Sequence, residues 1–256
     1  MNKARKTLLA ARKGYSQCAS LLEKRIAKTG LSAEISEQIV GIGVAGEWVR
    51  RAAEMERITY VGDQLNRSQR QAALVELLRY GFAWFALNAV FTRPALLTVI
   101  GSAASTRLGS KPQTSLGGRA SEFEQFLRLF QLAPLPERAE QTRKLHELLA
   151  RPTTPRLPDR PSGTSVPTLS ALHTKYLPRT ARGVTGRAVA DAATSGSVNT
   201  LDLPTLLYAF RNWAVHGNAL DGAFGTRPGF LTYVGVLVDV LAEVHVSTAS
   251  ELLRHL

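Results

Sequence analysis

Three polar residues inside an otherwise apolar stretch are the strongest candidates for chemistry in this sequence. Arg211, Asn212 and His216 lie within residues 203 to 217, where most of their neighbours are aliphatic or aromatic. A guanidinium group binds anions through several N–H donors, and an imidazole with an ordinary pKa of about 6.5 exchanges protons near neutral pH. The trio therefore combines groups suited to anion binding and to proton transfer.

Motifs for metal, thiol and nucleotide chemistry are absent from the sequence. The five histidines and Cys18, the single cysteine, form no zinc-ligand spacing, and there is no Walker A sequence and no G-x-S-x-G motif. We therefore expect neither a metal nor a cofactor. Because one cysteine cannot form an internal disulfide, we expect a reducing, cytoplasmic location.

A glycine motif at Gly41-Ile-Gly43-Val-Ala-Gly46 has the G-x-G-x-x-G spacing of dinucleotide-binding turns. That function requires a strand before the motif, a crossover helix after it and an acidic residue about 20 positions later. Here a helical pattern precedes the glycines and no β-rich run follows them. We favour close helix packing, or a break between two shorter helices, and keep a dinucleotide enzyme as the minor alternative.

Helical periodicity and helix-capping residues recur along the chain and predict an all-α fold. Asn88, a polar residue in an apolar helix, is expected to be hydrogen-bonded in the core, with a role in a site as the alternative. Residues 105–119 and 151–168 are loop-like in composition, and the second stretch contains five prolines. The predicted helices span residues 3–28, 33–52, 68–91, 121–130, 137–150, 169–177, 187–193, 203–217 and 230–246.

The helix over residues 203–217 must position the polar trio. Pro204 suits a first helical turn, and Gly217 suits a left-handed cap at the end. On this helix Asn212 and His216 are about 40° apart in projection and share a face, whereas Arg211 and His216 are about 140° apart. Only the long guanidinium arm brings Arg211 to a common point with the imidazole.

The positive charge of the chain is unevenly distributed. Of the formal net charge of +12, residues 1–28 carry +7 from eight Lys and Arg against one Glu, and residues 151–200 carry +5. Such a balance favours polyanions, most often nucleic acid, with a membrane surface or an acidic partner as alternatives. The first helix is expected to pack its apolar face on a core, although gripping RNA phosphates or lying on a membrane stays open. No apolar run of about 18 residues occurs, so we expect no membrane span.

The segment Arg211-Asn212-Trp-Ala-Val-His216-Gly217 resembles the signature of HEPN domains, an arginine followed by a polar residue and then a histidine on a core helix. The stretch from Trp84 to Phe91 is similar to an apolar helix of several such families. The resemblance implies a HEPN-type helical bundle. Residues 1–66 would be basic helices packed on it, and residues 67–256 the HEPN-like domain. That domain would contain a large, partly helical, Pro- and Gly-rich insertion at about 101–200.

The resemblance also implies a metal-independent endoribonuclease, such as a toxin or antiviral defence effector, or a non-catalytic relative that binds RNA, a nucleotide or a protein. In the enzyme, His216 would move the 2′-hydroxyl proton or protonate the leaving 5′-oxygen. Arg211 would hold the phosphate, and Asn212 would orient the imidazole or the ribose. Since one imidazole cannot easily be acid and base at once, HEPN-like enzymes pair two such helices. We therefore expect a homodimer with a composite site, RNA as substrate and an antitoxin or sensor protein as a further partner.

Overall fold

A computed structural model describes residues 3–57, 68–100, 121–132, 137–150, 174–178, 183–198, 200–215 and 229–256. Within these ranges all long elements are α-helices and no strand occurs, which confirms the predicted all-α class. Residues 94–100 are also helical. The HEPN type and the insertion stay predictions. The helices that we label are α1 (Lys3–Thr29), α2 (Ala33–Glu54), α3 (Ser68–Phe91), α4 (Glu122–Leu132), α5 (Arg138–Ala150), α6 (Gly183–Ser195), α7 (Leu203–Val215) and α8 (Phe230–His255).

Helix ends follow the capping residues in the sequence. Gly30 closes α1 in a left-handed conformation, with φ of 78°. The Ser32 hydroxyl caps α2 by accepting from the amide of Ile35 at 3.1 Å. At α4, Ser121 and Glu124 each accept a hydrogen bond from the other's backbone amide, at 3.2 and 2.9 Å, which is the predicted capping box.

The last helix is longer than its apolar pattern predicts. The prediction ended it at residue 246, but α8 continues to His255. The extension is packed in the core, because Thr248, Ala249 and Leu252 are buried. Thr248 and Ser250 satisfy their hydroxyls within the helix by donating to the backbone carbonyl four residues earlier, at 2.8 Å. The helix therefore accommodates a polar stretch that looked like its end.

The three glycines of the G-x-G-x-x-G motif lie in the middle of the unbroken helix α2. Gly41 is tightly packed, since a Cβ there would lie 2.5 Å from Leu96 Cδ1 and 3.2 Å from the carbonyl oxygen of Ala89. Gly46 would contact Tyr15 at 3.5 Å, whereas no atom lies within 4 Å of a Cβ built on Gly43. The dinucleotide hypothesis is wrong because a strand–turn–helix is required, and close packing explains Gly41 but not Gly43.

The chain divides into two compact units, neither of which is a continuous stretch of sequence. Unit 1 comprises residues 1–55, 82–136 and 238–256, and unit 2 comprises residues 56–81 and 137–237. The predicted division between residues 66 and 67 does not coincide with these units. Helices from the predicted insertion also bury side chains, namely Phe123 and Phe126 of α4 in unit 1 and Leu145 and Leu149 of α5 in unit 2.

The core of unit 1 is apolar, with α1 packed along α2. Its aromatic centre joins α3 to α4, where the ring centroids of Trp84 and Phe126 are 4.6 Å apart. The Asn88 amide, which is half-buried, donates to Glu122 Oε1 at 3.1 Å. The expected hydrogen bond of Asn88 is therefore confirmed, and it links the same two helices.

In the part of the chain that the structure describes, two helices are long and apolar enough to cross a membrane by length and composition alone, Gln71–Phe91 and Phe230–His255. In each, 61% of the apolar window is buried inside the protein. The cores of globular proteins contain helices with the same length and composition, so this property is weak evidence for a membrane span.

Candidate functional site

Helix α7 carries the predicted site residues and begins at an aspartate that the sequence analysis missed. The Asp202 carboxylate accepts from the amide and the hydroxyl of Thr205, and its carbonyl accepts from the amide of Leu206 at 3.1 Å. Asp202 is therefore the N-cap, and Pro204 occupies the first turn as predicted. All eight residues from Leu203 to Phe210 are buried. After Thr205 in the first turn, the strongly polar side chains of this helix are Arg211 and Asn212 near its end.

Aromatic packing within unit 2 fixes the orientation of α7. The Phe210 ring lies 4.8 Å from that of Tyr80 and 5.7 Å from that of Tyr233, measured between centroids. Trp213 continues this apolar face and contacts Phe230 at 5.9 Å. Because this face is buried in the core, the next residue, Arg211, lies on a different side of the helix.

Arg211 is half-buried and held in place by groups on its own helix. Its Nη1 atom donates to Asn212 Oδ1 at 3.0 Å, and its guanidinium carbon lies 5.6 Å from the Tyr208 ring centroid. The Tyr208 contact is a cation–π interaction between residues three apart on one helix. Arg211 is therefore a permanently charged group with a defined position in a partly desolvated setting.

Asn212 connects this cation to another segment of unit 2. While its Oδ1 atom accepts from Arg211, its Nδ2 atom donates to the backbone carbonyl of Tyr176 at 3.1 Å. Both ends of the amide are thus engaged within the protein. The geometry makes Asn212 a residue that positions Arg211.

Tyr80, on α3, is a neighbour of Arg211 that the sequence analysis did not identify. Its buried hydroxyl donates to the Leu207 carbonyl at 2.7 Å. Burial raises the pKa of Tyr80 well above its ordinary value, and the nearby charge of Arg211 opposes that rise. Tyr80 therefore remains a neutral donor that ties α3 to α7 one turn before Arg211.

A buried cation, Arg79, precedes Tyr80 and was also missed. Arg79 is 4% exposed and forms an ion pair with Glu76 one turn earlier on α3. A buried arginine is costly unless it is paired, so this carboxylate partner accounts for its presence in the core. No signal in the sequence distinguishes Arg79 from the other polar residues of α3, because its burial depends on tertiary packing.

The structure brings together two of the three predicted site residues. Arg211 and Asn212 are directly hydrogen-bonded, whereas His216 and Gly217 lie outside the described residues, just beyond the end of α7 at Val215. The predicted angular offset between Arg211 and His216 therefore stays a prediction. Two further groups, the Tyr208 ring and the Tyr176 carbonyl, contact the pair.

The described histidines elsewhere have structural partners. His146 Nε2 lies 2.9 Å from the carbonyl of Leu201, and His255 lies 3.9 Å from a Glu251 oxygen at the end of α8. In the described ranges no group of three or more His, Cys, Asp or Glu side chains is placed to hold a metal ion.

His245, on α8 in unit 1, is the most enclosed of these histidines. It is fully buried, with Nε2 2.8 Å from the Ala83 carbonyl and Nδ1 2.9 Å from the Tyr15 hydroxyl. Because a carbonyl only accepts, Nε2 carries the proton and Nδ1 accepts from Tyr15. Burial lowers the pKa of His245 to about 4, partly opposed by the hydrogen bond to Ala83. This imidazole joins α1, α3 and α8 as a neutral group.

Cys18, the single cysteine, is also buried in unit 1. Its thiol lies 3.6 Å from the Ala249 carbonyl, and burial raises its pKa to about 12. A thiol held in the protonated form is a poor nucleophile, so Cys18 is a packing residue.

Comparison with known proteins gives no match: no protein-family model, no curated protein and no solved structure is similar to this chain.

Proposed function

We propose that this chain is a metal-independent endoribonuclease of HEPN type. The observation that carries the proposal is the fixed guanidinium of Arg211, held by Asn212 and the Tyr208 ring near the end of α7. In the sequence this cation is followed five residues later by His216, and an imidazole with an ordinary pKa exchanges protons near neutral pH. The all-helical architecture agrees with the proposal.

The reaction would be transesterification within RNA. The 2′-oxygen loses its proton and bonds to phosphorus, and the P–O5′ bond breaks as the 5′-oxygen gains a proton. The products are a 2′,3′-cyclic phosphate and a 5′-hydroxyl. His216 moves a proton in one of these steps, and Arg211 neutralises the charge that develops on the non-bridging oxygens.

Asn212 has a narrower role in this proposal than the sequence alone implies. Its amide oxygen and nitrogen bind Arg211 and the Tyr176 carbonyl, respectively. It therefore acts by holding Arg211 in position, and we no longer assign it to the ribose or the imidazole.

The second proton transfer motivates a homodimer with a composite site, in which the partner supplies another imidazole or guanidinium. We place this dimer in the cytoplasm and include an antitoxin or sensor protein as a further partner class. Mixing Arg211→Ala protein with His216→Ala protein tests the dimer. Partial recovery of cleavage in the mixture supports a composite site, and a mixture as inactive as its components contradicts it.

The proposal is tested by incubating the protein with mixed RNA in EDTA and resolving the products. We expect cleavage that leaves 2′,3′-cyclic phosphate ends, and a loss of at least about 100-fold in His216→Ala and Arg211→Ala. His255→Ala and Arg128→Ala are the matched controls and should cleave at the wild-type rate. Absence of cleavage, or equal rates in wild type and His216→Ala, refutes the proposal.

The second candidate function is a non-catalytic helical module that binds RNA, a nucleotide or a protein. It is favoured by one observation, that the described polar contacts of Arg211 and Asn212 are internal. Under this alternative, Arg211→Ala and His216→Ala lower the melting temperature by several degrees and leave RNA binding unchanged. Stable variants that have lost cleavage exclude it.

A further inference from the structure

We infer that the exposed face of α1 binds the sugar-phosphate backbone of an RNA strand. This face borders a groove of about 590 Å³ within unit 1, which we call the α1 groove. The groove residues that bear on the argument are Lys13, Ser16, Gln17, Ser20 and Lys24 of α1 and Leu253 of α8.

The cations along this face are exposed and have no ion-pair partner among the described residues. Lys6, Lys13 and Lys24 fall within about 20° of one another around the α1 axis. By contrast, Lys3 is bound to Glu243 at 3.2 Å, and Arg12 to Glu54 at 3.4 Å. The helix thus leaves one row of lysines available to an external anion.

The distribution of apolar side chains argues against a membrane as the partner. A helix that lies on a bilayer needs an exposed apolar face. On α1 the large apolar residues Leu8, Tyr15 and Leu22 are buried in unit 1. Leu21 is a large apolar residue of this helix that is exposed, with 39% of its surface accessible. The groove on this face therefore offers lipid tails two apolar side chains, Leu21 and Leu253, and its other five lining residues are charged or polar.

The spacing and the uncharged groups of the α1 groove fit a nucleic acid strand. Lys13 and Lys24 are about 16 Å apart along the helix, a distance that spans several phosphates of one strand. Between them Ser16, Gln17 and Ser20 offer hydroxyl and amide groups that can bond a ribose 2′-hydroxyl. None of the described residues that line the groove is aromatic, so they offer bases no ring to stack on, and we expect binding that is independent of sequence.

The choice of RNA as the ligand rests on the proposed function. The residues of the binding surface, however, are different from those of the proposed cleavage site. Binding can therefore be measured in a His216→Ala background, where the proposed cleavage is abolished. If substitutions in the α1 groove abolish RNA binding while the wild-type protein cleaves no RNA, the groove remains assigned to RNA binding and only the ribonuclease is refuted. Cleavage that persists in a protein without α1-dependent binding refutes only this inference.

The test uses fluorescence anisotropy with labelled oligouridylate of about 20 nucleotides, longer than single-domain sites of about 4–16 nucleotides. We expect Lys13→Gln/Lys24→Gln to bind at least about tenfold more weakly at low salt. The slope of log affinity against log salt should fall by about 1.4, since each lost phosphate contact in a single strand removes about 0.7. Arg128→Gln/Lys144→Gln removes the same charge elsewhere and should bind within about twofold of the parent.

Three results would overturn the inference. The two double variants could lose affinity equally, which would indicate a response to net charge alone. Oligodeoxyuridylate of the same length could bind as tightly as the RNA, which would remove the role of the ribose hydroxyl. Alternatively, Lys13→Gln/Lys24→Gln could lose binding to vesicles of phosphatidylglycerol and phosphatidylcholine while keeping its affinity for RNA, which would assign the groove to a membrane surface.

Discussion

Unit 1 and unit 2 each contain a polar network that joins helices, and the two networks differ in how completely the protein encloses them. In unit 1, His245 is fully buried, and both of its ring nitrogens are used by Tyr15 and Ala83. In unit 2, Arg211 and Asn212 are half-buried at the end of α7.

The difference separates a structural role from a functional one. Burial holds His245 neutral, and a neutral imidazole with two filled hydrogen bonds has no capacity left for a substrate. Arg211 keeps its charge at any physiological pH, and a half-buried cation interacts more strongly with a phosphate than one in bulk water. The less enclosed network is therefore the one to which we assign chemistry.

The largest expected effect is a loss of stability in acid that depends on His245. The folded-state pKa is lowered to about 4, so the unfolded chain takes up a proton below about 6.5 that the folded protein does not. The contribution of His245 is complete above pH 6.5 and is lost as pH falls toward 4, by about 3 kcal/mol in total.

Urea unfolding across this pH range measures the effect, with His245→Gln as the comparison. Glutamine keeps a donor and an acceptor but does not titrate, so its free energy of unfolding should fall less steeply between pH 6.5 and 4. Parallel curves for the two proteins would show that His245 is not the enclosed neutral group described above.

A smaller effect should distinguish tight packing from open space within unit 1. Gly41→Ala places a methyl group against Leu96 and the Ala89 carbonyl, so we expect a net loss of about 1–2 kcal/mol in unfolding free energy. Gly43→Ala meets no atom within 4 Å and should gain up to about 1 kcal/mol from helix propensity.

Thermal or urea unfolding of the two glycine variants provides the measurement. A loss of unfolding free energy at Gly41 and a gain at Gly43 would confirm that unit 1 is closely packed at Gly41, as it is around His245. A loss of similar size at both positions would mean that Gly43 is also closely packed, for instance against a second molecule.

Local sequence signals predicted much of the fold but little of the surroundings of the site. Periodicity and caps gave α3 with its observed ends and the capping box at Ser121, because these depend on residues within one turn. The end of α8 was missed, since Ser247, Thr248 and Ser250 interrupt the apolar pattern, which resumes at the buried residues Ala249 and Leu252.

The pairing of Arg211 with Asn212 follows from adjacency in the sequence, and the Tyr208 contact could have been predicted from its spacing of three. The contacts of Tyr80 and Tyr176 could not, because Tyr80 lies 127 residues from Leu207 along the chain and Tyr176 lies 36 residues from Asn212. Only tertiary packing brings such residues to one place. The relation of His216 to this pair remains a prediction.

Two asparagines permit the most direct test of the contrast between structural and functional polar groups. Asn212 and Asn88 are both half-buried, and each donates one hydrogen bond of 3.1 Å, to Tyr176 and Glu122 respectively. We expect Asn212→Ala and Asn88→Ala to lower the free energy of unfolding similarly, by about 1 kcal/mol. Asn212→Asp should retain an acceptor for Arg211.

The decisive measurement is the RNA cleavage rate of these three variants in EDTA, with kcat and KM determined separately. The account predicts at least a tenfold fall in kcat for Asn212→Ala, substantial rescue in Asn212→Asp, and wild-type kinetics for Asn88→Ala. Equal rates in Asn212→Ala and Asn88→Ala would contradict it, because the position of Arg211 would then have no bearing on function.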